Sequence, residues 1–480
     1  MSELRKKSIR AFVWDFAGNI GMQIVAFVIS IILARLLEPE QFGLLGMVMV
    51  FSALAQVFMD MGFGSALIQK QNINSTTYST IFWLNIGIGA FISLGIFFSA
   101  ELIANFYNEP QLIGITKLLS SVFIISSLAN IQRIIFIKKL DFKTQSLINI
   151  LTAGISGGIT LWMAFSGFGV DALIFQKIIA AILTVVSFWY LSSWRPSFVF
   201  KLNDVKSIWG FSSKEFLDRI ITTVYSKLDV IVIGKLFSPA TLGFYTRAFS
   251  LNSIIGKFTS TSLDKIFFPL ISSIHQDKVK VRLIYLRVIT IVGFFAIGIS
   301  GLLFITADDL FVILFTDKWN QSIIYFKLLV VINFIYPISS LMLSLISGLG
   351  YAGEVLKAGI YKKLIGTIPI VIGIFYGIEA FLYSNIIFGL IGFNINLSSV
   401  RKVTSITMIE QLNCFIRPLV VGVIIICLIV SFPFFDSIYL RIIFNSIIFI
   451  SFFSLVVFLI DKKLKKIMHS EFNKIKAIFK

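Results

Sequence analysis

The chain is a succession of apolar runs, such as IVGFFAIGISGLLFI at 291–305, and the connections between them are roughly twenty residues or shorter. A helix that crosses a bilayer needs about 20 mostly apolar residues. On that measure spans fall near 12–34, 43–68, 79–103, 112–137, 147–166, 170–192, 213–235, 243–270, 286–306, 323–347, 360–377, 378–399, 417–435 and 440–460. The expectation is an all-α polytopic membrane protein with about fourteen transmembrane helices. Charged residues make up 14% of the chain, against about 25% in soluble domains, so the runs are not the buried strands of a water-soluble core.

The net charge of +18 does not point to nucleic acid, because the basic residues sit in short gaps between apolar runs and not on a folded water-facing surface. They sort by side. With the N-terminus inside, RKKSIR, KKLDFK, the 195–206 stretch, DKVKVR, YKK and the tail DKKLKK all face the cytoplasm, whereas the outer connections hold about four Lys or Arg. Both termini are therefore expected in the cytoplasm of a multi-pass membrane protein. The long first apolar run, without a small-residue cleavage site, reads as a first span and not as a signal peptide.

Cys414 and Cys427 lie in or beside apolar runs with no metal-ligand spacing, and His275 and His469 stand in a loop and in the tail. Neither a metal site, a cofactor, a phosphate loop nor a catalytic triad is written in the chain, and an enzyme is not expected. Glycine-rich pieces, GISGG at 154–158 and MGFG at 61–64, read as close helix packing.

One phrase is written twice. ARLLEPEQFGLLG (34–46) returns as GKLFSPATLGFYT (234–246), keeping Leu36, Pro39 and Gly43 as Leu236, Pro239 and Gly243. Two more echoes follow in order: ELIANFYNEP (101–110) with DLFVILFTDK (309–318), both expected as acidic, aromatic outer loops, and GVDAL (169–173) with GIEAF (377–381). The architecture expected is two six-helix lobes, 1–195 and 205–400, then two added spans within 415–462 and a basic tail, 463–480. Six is even, so the lobes enter the membrane the same way round, as parallel repeats with a substrate site between them. The Pro and Gly of each phrase read as a turn between helices.

Ionisable residues inside spans cost roughly 2.5–3.5 kcal/mol each on insertion scales, so they normally face a bundle interior or a wet cavity. Asp218, Thr222, Tyr225 and Asp229 recur at one helix face in the seventh span, with Arg219 and Lys227 beside it; Arg247, Ser250, Lys257, Thr261 and Asp264 line one face of the eighth. Substrate-cavity candidates are Arg219, Lys227, Arg247, Lys257, Lys117 and Lys327, and ion-coupling candidates are Asp60, Asp218, Asp229 and Asp264. Against this stands a plainer reading: Glu215 with Arg219 is an i, i+4 pair near the inner interface, and Lys117, Lys177 and Lys327 snorkel to headgroups.

The phrases LARLLEPEQFG, DMGFGSALIQ, SSWRPSF, VIGKLFSPATLGFYTRA and IFFPLISSIHQD give the chain a family look from the first span to the ninth. It resembles the polysaccharide exporters and Wzx-type flippases of the multidrug/oligosaccharidyl-lipid/polysaccharide superfamily, in the branch associated with colanic and teichuronic acid export. Asp171 departs from the pattern, since many relatives carry Trp there. The resemblance implies a MATE-like fold and a flippase that carries undecaprenyl-pyrophosphate-linked oligosaccharide to the outer leaflet by alternating access. Its implied partners are membrane lipid, a coupling proton or sodium, and polysaccharide polymerase or export machinery. Rival readings are a cation-coupled multidrug exporter, a lipid II flippase and, from another class, a membrane glycan polymerase or ligase. The last would be expected to show a large outer loop bearing catalytic residues, and the outer connections here are short.

The charge sorting is directly testable. In a Cys414→Ala, Cys427→Ala background, Asn108→Cys is expected to react with a membrane-impermeant maleimide in intact cells, and Asp277→Cys only after permeabilisation; the opposite pattern inverts the topology.

Overall fold

The computed structural model describes residues 2–70, 73–431, 435–460 and 464–465; the side chains of 2–12, 211, 214 and 254–266 are outside the described set. Among the described residues every regular element is helical. Contacts divide the chain into two compact units, Met1–Gly243 and Phe244–Lys480.

The first unit contains α1 (Ser2–Leu36), α2 (Pro39–Asp60), α3 (Phe63–Gln69), α4 (Ser75–Phe98), α5 (Ala100–Tyr107), α6 (Leu112–Ser127), α7 (Asn130–Lys138), α8 (Phe142–Phe165), α9 (Val170–Leu191), α10 (Leu202–Tyr225) and α11 (Leu228–Leu236). Its boundary with the second falls inside α12 (Pro239–Ile274). The second continues with α13 (Lys278–Phe315), α14 (Asn320–Val331), α15 (Ile335–Gly348), α16 (Ala352–Tyr376), α17 (Ile378–Thr404), α18 (Met408–Leu412), α19 (Ile416–Ser431) and α20 (Ile438–Ile460).

Helices are what hydrocarbon allows, because each backbone N–H and C=O must find its partner within the segment. Ten helical segments among the described residues are long and apolar enough to cross a membrane, or eleven counting α6–α7, which bends by 44° at its break; α19 is a shorter apolar helix. The expected spans fall on one helix or on two successive ones, as 43–68 does on α2 and α3, and 417–435 runs past α19 into residues outside the described set. The two expected spans with charged stripes lie on α10–α11 and α12.

In the first unit α1 packs on α8, α4 on α6, and α8 on α9, while α10 lies against α2, α3 and α4. In the second, α16 packs on α17, and α13 is covered by α14, α19 and α20. There Phe294 stacks on Phe453 at 5.1 Å and Phe453 on Phe449 at 5.4 Å, which docks α20 on α13. Between helices in lipid, close packing of this kind replaces the hydrophobic effect as the cohesive force.

The structure revises two boundaries. ELIANFYNEP is not a loop for most of its length: α5 runs to Tyr107, and the turn begins at Asn108, whose φ is 59°. DLFVILFTDK likewise continues α13 to Phe315 before the chain turns at Thr316. Both segments are apolar enough to extend a helix past the expected bilayer edge, and the acids did not break it. A third revision concerns the stripe in the seventh span. The helix is interrupted at Ser226–Lys227, so the periodicity stops at Tyr225 and Asp229 belongs to the first turn of a new helix.

The repeated phrases have matching geometry. Pro39 and Pro239 each open a helix, the position where a missing N–H costs nothing. Gln41 Oε1 accepts from the Glu38 backbone N–H at 3.1 Å, and Ser238 Oγ accepts from the Thr241 N–H at 3.2 Å. Gly169 and Gly377 both precede a helix with positive φ, 55° and 93°. The phrases also meet. A Cβ on Gly43 would collide with the carbonyl of Pro239, and a Cβ on Gly243 with the carbonyl of Pro39, each far inside the 3.0 Å that real Cβ atoms respect. The contact is reciprocal, and all four residues belong to the first unit. The plain reading of Pro and Gly as turn residues was incomplete: the glycines are needed for contact between the two copies.

Because backbone lies on both sides of this contact, a methyl group has nowhere to go. Gly43→Ala and Gly243→Ala are each expected to destabilise by about 1–3 kcal/mol, read as a lowered Tm in detergent. A Tm unchanged in both variants would contradict the packing.

Candidate functional site

The sequence-derived candidates are divided between the two units. Two of them, one assigned to substrate and one to coupling, meet in the first unit. Asp60 is the last residue of α2, and the chain then turns through Met61 and Gly62, both at positive φ (41° and 70°), before α3 starts. That turn leaves Asp60 and Ser65 facing α10. The Arg219 guanidinium reaches between them: it pairs with Asp60, donates to Ser65 Oγ at 3.2 Å and donates to Glu215 at 2.6 Å. Ser65 Oγ in turn donates to Glu215 Oε1 at 2.7 Å. Phe58 packs edge-to-face on Phe216 at 5.2 Å, holding α2 and α10 in register beside the network.

Chemically this is one cation between two carboxylates. It has a net charge of −1 and is only partly enclosed by protein: the Arg219 side chain is 40% exposed, those of Asp60 and Glu215 23% each. The i, i+4 pairing of Glu215 with Arg219 is present, and the plainer reading of those two residues holds as far as it goes. The pairing to Asp60 and Ser65, more than 150 residues away, is what it lacked. MGFG was the only local signal, and by itself it indicated packing.

The other candidates are dispersed. Asp218 is exposed on α10, and Lys227 sits at the break between α10 and α11. Asp229 accepts from the Val230 backbone N–H at 2.8 Å. In the second unit Arg247 is buried, with its guanidinium 5.0 Å from the ring centres of both Phe315 and Trp319, a cation–π seat. The side chains of Lys257 and Asp264 lie outside the described residues. Lys117 rests over the Phe97 ring at 5.4 Å; Lys327 rests over Phe304 at 5.7 Å and pairs with Asp308 at 2.6 Å. Each lysine thus rests its chain over a phenyl ring.

One ion pair was not foreseen. Asp309 is buried on α13 and receives the Arg441 guanidinium of α20, with Nε 3.0 Å from both carboxylate oxygens. It fastens the added C-terminal helices to the second unit. Its separation of 132 residues left no local trace.

The first unit also holds an apolar cavity of about 680 Å³, lined by Phe51, Leu54, Ala55 and Phe58 of α2 together with α4, α5 and Ile231. Its walls suit hydrocarbon and not a sugar. No group of His, Cys, Asp and Glu among the described residues has the arrangement to hold a metal ion.

A family model described as "Polysaccharide biosynthesis protein" matches residues 32–324. The chain belongs to that family. It is 24% identical over 375 residues to the lipopolysaccharide biosynthesis protein WzxC of Escherichia coli, covering 77% of this chain and 76% of that one. It is 25% identical over 322 residues to the teichuronic acid biosynthesis protein TuaB of Bacillus subtilis, covering 64% and 66%. Among solved structures, the lipid II flippase MurJ in an inward closed conformation superposes with a TM-score of 0.74 at 15% identity, over 94% of this chain and 100% of that one. The fold is the one seen in that structure.

Removing the cation should expose the network's logic. Arg219→Ala leaves two carboxylates facing each other and is expected to destabilise by roughly 1–3 kcal/mol, given the partial exposure. Adding Asp60→Asn is expected to restore part of the loss in thermal unfolding, a coupling a double-mutant cycle measures. Additive effects would mean that the two residues do not interact.

Proposed function

We propose that the protein moves an undecaprenyl-pyrophosphate-linked oligosaccharide, the repeat unit of an O-antigen, capsule or exopolysaccharide, from the inner to the outer leaflet of the bacterial cytoplasmic membrane. On this reading both termini are cytoplasmic, and the six-helix repeats 1–195 and 205–400 alternate access to a site between them. Products pass to polymerase and export machinery outside. Family membership and the biosynthetic roles in the names of WzxC and TuaB support the substrate class. The cargo's headgroup is hydrophilic and anionic, and crossing hydrocarbon unaided is prohibitive for it.

The observation that carries the reading is Arg219 held between Asp60 and Glu215 in a setting that protein only partly encloses. A guanidinium forks onto phosphate as readily as onto carboxylate. When a pyrophosphate takes Arg219, Asp60 and Glu215 lose their shared cation and become two like charges in a poorly solvated place. That arrangement favours uptake of a proton or a sodium ion. Substrate arrival and ion binding are thereby linked at one residue. The apolar cavity beside Phe58 gives the isoprenoid tail a wall to run along.

The test is transbilayer movement of a labelled undecaprenyl-pyrophosphate oligosaccharide in proteoliposomes. Wild type is expected to flip it and to respond to an imposed ion gradient. Arg219→Gln should lower the rate at least about tenfold, Lys257→Glu should also impair it, and Asp60→Asn should flip without responding to the gradient. Movement of lipid II in preference to the oligosaccharide, or efflux of a cationic dye with no lipid movement, would replace this reading.

A further inference from the structure

A second polar site lies in the second unit, well away in sequence from the Arg219 network. A cavity of about 220 Å³ opens where α12 ends, α13 begins, α15 turns into α16 and α17 ends. Its polar lining is His275, Lys278, Arg282, Tyr351, Thr404 and Ser405. Lys278 and Arg282 stand four residues apart and so share one face of the first turns of α13. His275 Nδ1 lies 2.8 Å from the Ser272 carbonyl, so that nitrogen carries the proton and Nε2 is turned away from it. Thr404 donates its hydroxyl hydrogen to the Val400 carbonyl at 2.7 Å. The hydroxyls of Tyr351 and Ser405 make no hydrogen bond to other described residues, and Ser405 sits at positive φ, 61°, where the chain leaves α17.

Of the acidic groups nearby, Glu354 pairs with Lys357 at 3.2 Å and reaches Lys402 at 3.9 Å. Asp277 turns its carboxylate to the Lys280 backbone N–H at 2.9 Å and caps α13. Glu410 pairs with Arg282 and is held below the usual carboxylate range, chiefly by the Thr407 backbone N–H and then by the Thr407 hydroxyl and Arg282. One carboxylate thus shares one of the two permanent cations. Lys278 has no ion-pair partner among the described residues. The pocket is positive, supplies hydroxyl donors and is closed on one side by Val281, Leu349, Val403 and Ile406.

We propose that this pocket binds a phosphate group, with Lys278 and Arg282 as the cations and Ser405 and Tyr351 as neutral donors. Lys278 opens a helix of 38 residues that is long and apolar enough to cross a membrane, so the pocket lies at one end of a candidate span. Two sources share the chemistry: the headgroup of an anionic phospholipid, and a soluble phosphate compound. Either would tie together the ends of α12, α13 and α17, which otherwise meet there through few polar contacts. The site differs from the one assigned to cargo and stands or falls independently of it.

The test uses the full chain in detergent, with thermal unfolding as the readout. Phosphatidylglycerol in mixed micelles is titrated against phosphatidylcholine, and inorganic phosphate against chloride at matched ionic strength. Lys278→Glu is compared with Lys280→Glu, the same charge change two residues away and outside the pocket lining. Saturable stabilisation by phosphatidylglycerol alone identifies the lipid headgroup; stabilisation by inorganic phosphate identifies a soluble ligand. In either case Lys278→Glu is expected to weaken binding about tenfold or more and Lys280→Glu at most about twofold. If Lys278→Glu does not fold, Lys278→Gln is read the same way. No stabilisation by either compound, or equal loss in both variants, would overturn the site.

Discussion

Hydrocarbon offers a charged side chain no solvent, so every charge the chain carries into the bilayer must bring or find its own partner. The described structure meets that constraint in three ways. Arg219 is surrounded by two carboxylates and a hydroxyl contributed by α2, α3 and α10. Asp309 is matched by Arg441 across α13 and α20. Arg247 is buried against the faces of Phe315 and Trp319. Each solution also fixes helices against one another, where apolar side chains alone would slide against lipid at little cost. The ion pairs are thus both an accommodation of charge and a source of registry.

The three solutions differ in what they allow. Asp309 is buried and receives several hydrogen bonds from a single arginine, an arrangement that holds two helices together and leaves no capacity for an outside ion. The Arg219 network is only partly shielded, and its carboxylates outnumber its cation. A group in that state exchanges partners readily, because water and an incoming anion can both compete for it. That difference in burial is why the proposed transport chemistry is assigned to Arg219 and a fastening role to Arg441.

The duplicated phrase links ancestry to geometry. Two copies of P-x-x-x-G could have remained two separate turns. Instead each glycine receives the other copy's proline carbonyl, so one short contact requires the same residue type twice. Gly169 and Gly377, in the echoed phrases GVDAL and GIEAF, likewise each precede a helix at positive φ. The site candidates do not repeat in this way. At the offset of 200 that the repeated phrase sets, Glu215 corresponds to Asp15 but Arg219 to Asn19, whose amide donates to Asp15 at 3.1 Å, so what the other copy lacks is the cation.

The sequence by itself determined the helical, multi-span character of the chain and the order of its apolar runs. Those properties depend on local hydropathy and on residues a few positions apart, which a linear reading contains. Helix ends were less legible: acids at Glu101 and Asp309 suggested loops, yet α5 and α13 run through them because flanking apolar residues favour continuation. The break at Ser226–Lys227 was invisible, since neither residue is a helix breaker. Only the tertiary structure decided which charges meet. Asp60 with Arg219, Asp309 with Arg441 and Pro39 with Gly243 are separated by well over a hundred residues, and periodicity carries no information about which helix faces which. Burial and pairing of a charge are properties of neighbours, and neighbours exist only once the helices are packed.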